Sequence, residues 1–303
     1  MAIPFMRDFD PAYGERVQVA PAVQRLVAPN PGPFTFAGTG VYIVGAGEEV
    51  CVIDPGPDIP DHREALWRAL EGRRVVAVAL THHHLDHTPL ARPLADAHGC
   101  EVAGMSIADG AAFESEVGDM ETGLDEGADV DFRPDRELAD GDTIAGEGFA
   151  LRVLHTPGHT SNHLCFALAG DAGGRSALFT GDHVMGWSTT VVVPPDGSMR
   201  DYMASLRRVR EGGFATLYPT HGAPIADPAP FLDAYRDHRL AREAKVRAAL
   251  GPEPRSVTAL VETVYADTNR ALWPAASQSL RAHLIWLEEK GEAMEGPDGW
   301  SLA

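Results

Sequence analysis

Residues 81–87 read Thr-His-His-His-Leu-Asp-His, which places four imidazoles and one carboxylate within seven positions. The run before them, residues 75–80, is apolar, as is typical of a strand buried on both faces. Because side chains alternate along an extended chain, His82 and His84 point to one side if the strand geometry continues, and the histidine between them points away. Asp86 and His87, the last two residues of the motif, lie where the chain should turn, so they could reach a second ion. The spacing therefore predicts two sets of metal ligands.

A solvent-exposed loop rich in histidine, or an affinity tag, is the alternative interpretation of this motif. A tag would lie at a terminus, and it would have neither the interposed carboxylate nor the apolar strand in front of it. The metal interpretation is therefore favoured.

The composition predicts a globular protein of one large domain and a small one, since 44% of its 303 residues are hydrophobic. No run approaches the roughly 18 to 20 apolar residues of a membrane helix, and no secretory signal is visible, so we expect a cytoplasmic protein with no membrane partner. The formal net charge of −19 repels polyanions, so a nucleic-acid partner would need a local basic surface. The widely spaced cysteines predict free thiols, namely Cys51, Cys100 and Cys165.

Other predicted strands also end in a turn that presents histidine or aspartate. These groups are Asp54 after strand 50–53, His159 in a Thr-Pro-Gly-His-Thr turn after strand 150–154, Asp182 after strand 177–179, and His221 after strand 216–218. Ligand sites in α/β sheets favour the carboxyl ends of strands, so the repetition indicates one shared site. Asp54 is open to two interpretations: it caps the following turn, or it orients a ligand near the metals.

Taken in order, these motifs resemble the metallo-β-lactamase-fold hydrolase superfamily. The signatures are Ile-Asp-Pro-Gly at residues 53–56, the motif at 81–87, His159, Asp182 within Thr-Gly-Asp, and His221. The resemblance implies an α/β fold, the four-layer αββα metallo-β-lactamase sandwich. Two mixed β-sheets would carry helices on their outer faces, and the site would lie at one edge between the sheets.

The resemblance also implies a role for each of these residues. The first metal would be held by His82, His84 and His159, the second by Asp86, His87 and His221, and Asp182 would bridge them. Asp54 and Thr81 would support the ligands from behind. Sites rich in imidazole suit zinc, so two Zn²⁺ ions are expected, with iron or manganese as the alternatives known in related sites.

A pair of metals implies a hydrolytic mechanism. Bound metals would lower the pKa of a shared water and polarise a carbonyl or phosphoryl group, so that the hydroxide would attack its carbon or phosphorus and no side-chain nucleophile would be needed. Asp86 is the expected catalytic residue, because it would orient the hydroxide and pass a proton to the leaving group. The other histidines next to the motifs (His155, His163 and His183) are expected to support or pack. No chemistry is assigned to His62, His83, His98, His238 or His283.

The chain beyond His221 changes character and predicts a division into residues 1–227, a linker helix at 228–250, and a winged-helix-like domain at 251–303. This pattern resembles the β-lactamase-like protein subgroup, whose mitochondrial members are endoribonucleases on single-stranded RNA. The chain departs from the subgroup at Gly-Thr-Gly (38–40), where an amide side chain is usual, and at Pro-Thr-His (219–221). Residues 251–303 carry eight acidic side chains and four basic ones, which favours packing or dimerisation over nucleic-acid binding.

Three functions are compatible with these residues. The leading hypothesis is a metal-dependent hydrolase of a small ester, thioester, lactone or amide, with promiscuous β-lactam hydrolysis as a side activity. The alternatives are an endoribonuclease on single-stranded RNA and a regulatory winged-helix protein with a vestigial metal site. The expected partner is a small-molecule substrate, with RNA and a homodimer as further candidates. Arginine or lysine beside the metals would favour a phosphodiester substrate, and an apolar pocket would favour an acyl compound.

Overall fold

The computed structural model describes residues 3–107, 127–170 and 176–303. Its strands are β1 (Val17–Ala20), β2 (Val23–Val27), β3 (Gly40–Val44), β4 (Glu49–Ile53), β5 (Arg74–Ala79), β6 (Glu101–Gly104), β7 (Arg136–Glu137), β8 (Thr143–Gly146), β9 (Phe149–His155), β10 (Leu164–Leu168), β11 (Ala177–Gly181), β12 (Thr216–Pro219), β13 (Ala293–Gly296) and β14 (Gly299–Leu302). Its helices are α1 (Pro60–Ala69), α2 (Ala91–His98), α3 (Met199–Glu211), α4 (Pro228–Ala249), α5 (Val257–Val264) and α6 (Trp273–Glu289), with a 3₁₀ turn at Arg270–Leu272.

The first sheet has the strand order β1-β2-β3-β4-β5-β6-β7. Its first four strands are antiparallel neighbours, and β4 to β7 run parallel. The apolar runs at 41–44 and 50–53, separated by a Gly-Ala-Gly turn at 45–47, predict a hairpin, and the pairing of β3 with β4 confirms it. Strand β4 is buried on both faces, since Cys51 and Ile53 pack toward the second sheet while Val50 and Val52 pack toward helices.

The second sheet has the order β12-β11-β10-β9-β8. Strands β8 to β11 are antiparallel neighbours, and β12 pairs parallel to β11. Strands β9, β11 and β12 therefore run in one direction and end at the same edge of the sheet. This edge is where the sequence places its histidine and aspartate turns.

The core is layered. One hydrophobic cluster lies between the two sheets, a second lies between the first sheet and helices α1 and α2, and a third lies between the second sheet and helices α3 and α4. The predicted α/β fold and its four-layer αββα arrangement are thus confirmed.

A fourth hydrophobic cluster forms the core of the C-terminal region, where α5, α6 and the β13–β14 hairpin meet. The leucines predicted to pack there (Leu280, Leu284 and Leu287) are fully buried. Helix α4 contributes to two cores, because Phe231 and Tyr235 pack against the second sheet and Val246 packs in the C-terminal cluster. The division at residues 227 and 250 stays a prediction.

Some sequence-based expectations differ from the structure. Apolar residues at helical spacing predict an amphipathic helix over residues 60–72, but the helix ends at Ala69. The sequence predicts a short segment near Trp273 and a helix from Ser277 to Lys290; the short segment is the 3₁₀ turn Arg270–Leu272, and the helix begins earlier, at Trp273, where a proline in the first turn fits the helix start. The many Asp, Glu and Gly residues at 106–135 predict a segment that faces solvent, but most of it, residues 108–126, lies outside the described residues. The three cysteines are free thiols, as predicted. In the described part of the chain, every helix is too short or too polar to span a bilayer.

Candidate metal centre

The candidate ligands lie on loops that follow directly after strands. The motif at 81–87 comes after β5, His159 after β9, Asp182 after β11 and His221 after β12. The motif lies beyond β5, which ends at Ala79, and its middle forms an isolated antiparallel bridge between His84 and Ala128. The expected orientations nevertheless appear: His82 and His84 converge with His159, while the His83 ring turns to Asn162, with Nδ1 2.8 Å from Oδ1.

Three ring nitrogens meet on the imidazole side of the centre. His84 Nδ1 lies 2.9 Å from His82 Nε2 and 3.2 Å from His159 Nε2. His82 and His159 are buried, and the three nitrogens lie within 4.8 Å of one another. Three converging imidazole nitrogens with space for a further ligand match the geometry of a catalytic zinc site.

The carboxylate side contains the second group. Asp86 Oδ2 lies 3.3 Å from both His87 Nε2 and His221 Nε2. Asp182 lies between the two groups, with carboxylate oxygens 3.3 Å from His221 Nε2, 3.8 Å from His87 Nε2 and 4.0 Å from His159 Nε2. The structure therefore brings together all seven residues that the sequence predicted as ligands.

The outer ring nitrogens fix the orientation of the histidines. His159 Nδ1 lies 2.7 Å from Val191 O, and His221 Nδ1 lies 3.1 Å from Gly38 O. His82 Nδ1 lies 3.0 Å from Thr81 Oγ1. Each of these Nδ1 atoms can donate to its oxygen, which leaves the lone pair of Nε2 directed at the shared space. Neutral imidazoles held in this way are the form that binds metal ions, so the residues fit a pair of divalent cations.

Charge divides the centre into two halves. Burial, reinforced by neighbouring imidazoles, holds the pKa of His82 and His84 well below its usual value. Burial also opposes protonation of His87 and His221, but the adjacent carboxylates raise the pKa of both rings well above the usual value. The pKa of Asp86 is held far below its usual range by His87 and His221, although burial works against its charged form. The carboxylate half therefore attracts cations.

Asp54 supports this half from behind. Its Oδ1 accepts a hydrogen bond from Thr81 N (2.8 Å), and its Oδ2 accepts one from Thr81 Oγ1 (2.8 Å) and lies 3.0 Å from His87 Nδ1. The contacts favour the second interpretation of Asp54, in which the carboxylate orients a ligand. Asp54 also has a positive φ of 49°, a conformation that aspartate tolerates better than most residues.

The two departures from the subgroup pattern meet next to Asp54. Thr220 Oγ1 donates to Asp54 Oδ2 (3.2 Å), and Thr220 O accepts from Gly40 N (2.7 Å). A Cβ at residue 40 would lie 2.7 Å from Thr220 O, too close for any side chain without a backbone shift. Gly40 and Thr220 therefore fit each other, and together they pack behind the ligands.

Asn30 and Thr39 were missed by the sequence analysis. Thr39 Oγ1 donates to Asp86 Oδ2 (2.9 Å) and accepts from Asn30 Nδ2 (2.9 Å), while Asn30 Oδ1 accepts from Thr39 N (2.9 Å). An amide side chain thus does support the centre, but it comes from a Pro/Gly-rich turn that the sequence marked as a break in regular structure. The other carboxylate oxygen of Asp86, Oδ1, has no hydrogen-bond partner among the described residues.

The remaining histidines behave differently from one another. His163 Nε2 accepts from the backbone N–H of Asp182 (3.2 Å) and its Nδ1 lies 2.9 Å from Thr156 Oγ1, so His163 has the supporting role expected of it. His155 Nε2 lies 2.9 Å from the Ser161 carbonyl. His183 is fully buried, and burial, followed by nearby positive charges, lowers its pKa to about 3.

A cavity of about 340 Å³ opens onto the centre at His159 and Asp182. Its wall includes Phe34, Met185 and Trp187 from the sandwich. The far wall comes from the C-terminal region, through Tyr265, Thr268, Leu272, Ala276 and Ser279. A cavity of this size fits a small molecule.

Comparisons with known proteins identify the same two parts. The profile described as "Metallo-beta-lactamase superfamily" matches residues 35–221, and the one described as "Beta-lactamase associated winged helix domain" matches residues 256–300. A beta-lactamase-like protein 2 homolog of Caenorhabditis elegans is 30% identical over 92% of this chain and 88% of its own length. An atrochrysone carboxyl ACP thioesterase of Aspergillus chevalieri is 34% identical over 77% of this chain and 67% of its own.

The fold has solved counterparts. The crystal structure of a beta-lactamase domain protein from Burkholderia ambifaria superimposes with a TM-score of 0.75 at 25% identity, covering 98% of this chain and 96% of that protein. The similarity therefore extends through both the sandwich and the C-terminal region.

Proposed function

This chain belongs to the metallo-β-lactamase superfamily of hydrolases, and from that premise we propose that it is a dinuclear zinc hydrolase of small acyl substrates, thioesters above all. The observation that carries the proposal is the convergence of buried nitrogen and carboxylate donors, in groups whose ligand atoms lie within 4.8 Å, at the carboxyl ends of strands from both sheets. His82, His84 and His159 would hold one ion, Asp86, His87 and His221 the other, and Asp182 would contact both.

A pair of divalent ions, when bound, supplies a nucleophile derived from water near neutral pH and polarises the carbonyl under attack. The chain provides the rest of the mechanism. Thr39 holds Asp86 through Oδ2, so that Oδ1 is left to accept a proton from the attacking water and return it to the leaving group. Burial around the centre excludes bulk water, and it lowers the pKa of His82, His84 and His159, so these three imidazoles stay neutral.

Zinc is the proposed metal because most of the donors are imidazole nitrogens and the remainder are carboxylate oxygens. Iron and manganese accept the same ligands, so elemental analysis of the protein purified from cells is the direct test. Two equivalents of zinc per chain are expected. A preparation that holds iron or manganese and is inactive with zinc would contradict this part of the proposal.

Thioesters are the preferred class for two reasons. Two relatives that are 34% and 31% identical to this chain over the aligned residues carry the name atrochrysone carboxyl ACP thioesterase. The cavity also has apolar walls next to the centre, formed by side chains such as Phe34 and Met185, which suit an acyl chain.

RNA is disfavoured as the substrate. The net charge of −19 opposes long-range attraction of a polyanion, and the C-terminal region has more acidic than basic side chains. The cavity does contain arginines as well as apolar groups, and its volume of about 340 Å³ suits a small ligand rather than a nucleic-acid strand. The predicted homodimer stays a prediction.

The test is a parallel assay of zinc-loaded protein against butyryl-N-acetylcysteamine, phenyl butyrate, a γ-lactone and an unstructured RNA 20-mer. We expect thioester hydrolysis that is lost in Asp182→Asn and is unaffected in the surface variant Arg207→Met. Cleavage of the RNA with no turnover of the acyl compounds would contradict the proposal.

A further inference from the structure

Helix α4 carries arginines in two different settings. Arg236 and Arg247 face outward and are ion-paired, Arg236 with Asp233 and Asp237, Arg247 with Glu243 and Glu292. Arg239 and Arg242 instead line the cavity beside the metal centre. Within the described residues, the ion pairs that cations of this helix make involve Arg236, Lys245 and Arg247, but not Arg239 or Arg242. Asp267 lies near enough to Lys245 and Arg242 for both to lower its pKa, but its ion pair is with Lys245. The helix therefore leaves its cavity-facing arginines without a direct ion pair to any described residue, while its outward-facing arginines are paired.

Arg239 is the stronger of the two signals because only 4% of its surface is exposed. One Nη donates to the carbonyl of Thr190, and the guanidinium lies 4.9 Å from the ring centroid of Tyr202. Its Nε has no hydrogen-bond partner among the described residues. A buried charge without a counter-ion is costly, so a protein normally retains one where a ligand completes its interactions.

Arg242 lies one turn further along the same helix. Its guanidinium stacks 4.0 Å from the ring centroid of Tyr265, and its Nη1 donates to Val264 O (2.8 Å). These contacts come from α5 and its end, so the C-terminal region fixes the direction of the side chain. The remaining N–H groups of a guanidinium held in this way can receive a carboxylate or a phosphate.

The charge of the cavity contrasts with that of the whole chain. The chain has a net charge of −19, but the described residues that line the cavity include the cations Arg7, Arg239 and Arg242. The one carboxylate among those lining residues is Asp182, which we assign to the metals. Burial and the two helix arginines lower the pKa of the adjacent His238 to about 4, so its ring stays neutral at physiological pH. The field inside the cavity therefore favours an anion.

We infer that this cavity recognises an anionic group, a carboxylate or a phosphate, on a small acyl substrate, with Arg239 and Arg242 as its binding residues. The reaction at the other end of that substrate rests on the proposed function, but binding of the anion does not. The C-terminal region is thereby part of the substrate site, since it orients Arg242 and forms the far wall.

Matched thioesters test the inference with zinc-loaded protein. One pair places the charge on the acyl side: the N-acetylcysteamine thioesters of glutaric acid and of its monomethyl ester. The other pair places it on the thiol side: butyryl thioesters of 3-mercaptopropionate and of 3-mercaptopropionamide. We expect the charged member of at least one pair to have a kcat/KM that is about 10- to 100-fold higher, through KM, because a charge-assisted hydrogen bond contributes that much.

Variants and a second measurement locate the effect. Arg242→Met should remove the preference for the charged member, Arg242→Lys should keep most of it, and Arg207→Met, an exposed arginine on α3, should leave it unchanged. Calorimetry with glutarate and with glycerol 3-phosphate measures binding without turnover and distinguishes a carboxylate from a phosphate. The affinity for one of these anions should fall about 10-fold or more in Arg242→Met and not in Arg207→Met.

The outcomes separate the two proposals. If no form hydrolyses any thioester, the proposed function fails while calorimetry still decides the inference. Equal turnover of charged and neutral members, together with anion affinities that do not depend on Arg242, overturns the inference and leaves the hydrolase intact. A short single-stranded RNA that loses affinity in Arg242→Met, when the small anions do not, also overturns it.

Discussion

Two regions of this protein bury histidine, and they do so with opposite consequences. At the sheet edge, His82 is buried and His84 is half-buried, both have a pKa well below the usual value, and His82 Nε2 lies 2.9 Å from His84 Nδ1. In helix α6, His283 is buried as fully as His82, and this burial, followed by nearby positive charges, lowers the pKa of His283 to about 3. Neither ring nitrogen of His283 has a hydrogen-bond partner among the described residues. The two regions share their degree of burial but differ in whether other donors converge on the ring.

Convergence, not burial, is therefore what identifies a ligand. A depressed histidine pKa reports only that a low-dielectric environment disfavours the imidazolium. At the sheet edge, strands that end side by side bring donors from distant parts of the chain together. A helix interior provides no such meeting of termini, so His283 packs as an apolar ring in the C-terminal region.

The largest effect is expected from removing one of the histidines that converge at the sheet edge. His84→Ala should lower kcat/KM about a thousandfold or more, because loss of the ion that His84 would hold removes several kcal/mol of transition-state stabilisation. Zinc content measured by elemental analysis should fall by at least one equivalent, with the circular dichroism spectrum retained. His283→Leu provides the control, since it removes a buried imidazole on which no other donors converge among the described residues. Equal activity in the two variants would show that convergence at the sheet edge has no catalytic meaning.

A smaller effect is expected where a ligand's charge is removed and its shape is kept. Asp86→Asn retains one oxygen for the metal but cannot accept the proton at the second, so we expect a loss of about 10² to 10⁴ in kcat. The measurement is steady-state kinetics on protein whose zinc content has been determined. An Asp86→Asn enzyme with both metals and full turnover would exclude Asp86 as the proton-transfer group.

The sequence predicted the ligands better than it predicted their supports, for a physical reason. Asp182 and His221 follow neighbouring parallel strands of the second sheet, so their meeting follows from topology. His82 follows β5 of the first sheet and meets them because the two sheets pack against each other. Thr39 and Asn30 reach Asp86 from an irregular turn, whose path no periodicity encodes. Arg236, Arg239 and Arg242 follow one another at a spacing of three residues on α4, so the sequence does not distinguish them. Only the packing of neighbouring elements around the helix shows that Arg236 is ion-paired and that the other two line the cavity.

The contact from Thr39 predicts a graded effect. Thr39→Val keeps the shape of the side chain but leaves Asp86 Oδ2 without the 2.9 Å hydrogen bond, and loss of a partner that orients a metal ligand typically costs about 10- to 100-fold in affinity. Competition with a chromogenic zinc chelator measures this change. Thr143→Val, at an exposed threonine on β8, is the control and should bind zinc like the parent. Unchanged zinc affinity in Thr39→Val would mean that packing alone positions Asp86.

The smallest effect on activity is expected from substitution of His283. This histidine should instead affect how the stability of the protein depends on pH. The unfolded chain takes up a proton at this histidine near pH 6.5, whereas the folded state does so only near pH 3, so the unfolded state binds more protons between these values. Stability should therefore fall as the pH decreases from about 6.5 toward 3, by up to about 1.4 kcal/mol per pH unit from this group.

His283→Leu removes that dependence without leaving a polar atom unpaired. The difference in free energy of unfolding between the variant and the parent should grow in the variant's favour from pH 7 to pH 4.5, as measured by urea denaturation of metal-free protein. The other buried histidines titrate in both proteins, so their contributions cancel in the difference. A difference that does not change with pH would show that His283 takes up its proton equally readily in the folded and unfolded states. The contrast with the sheet edge would then rest on geometry alone.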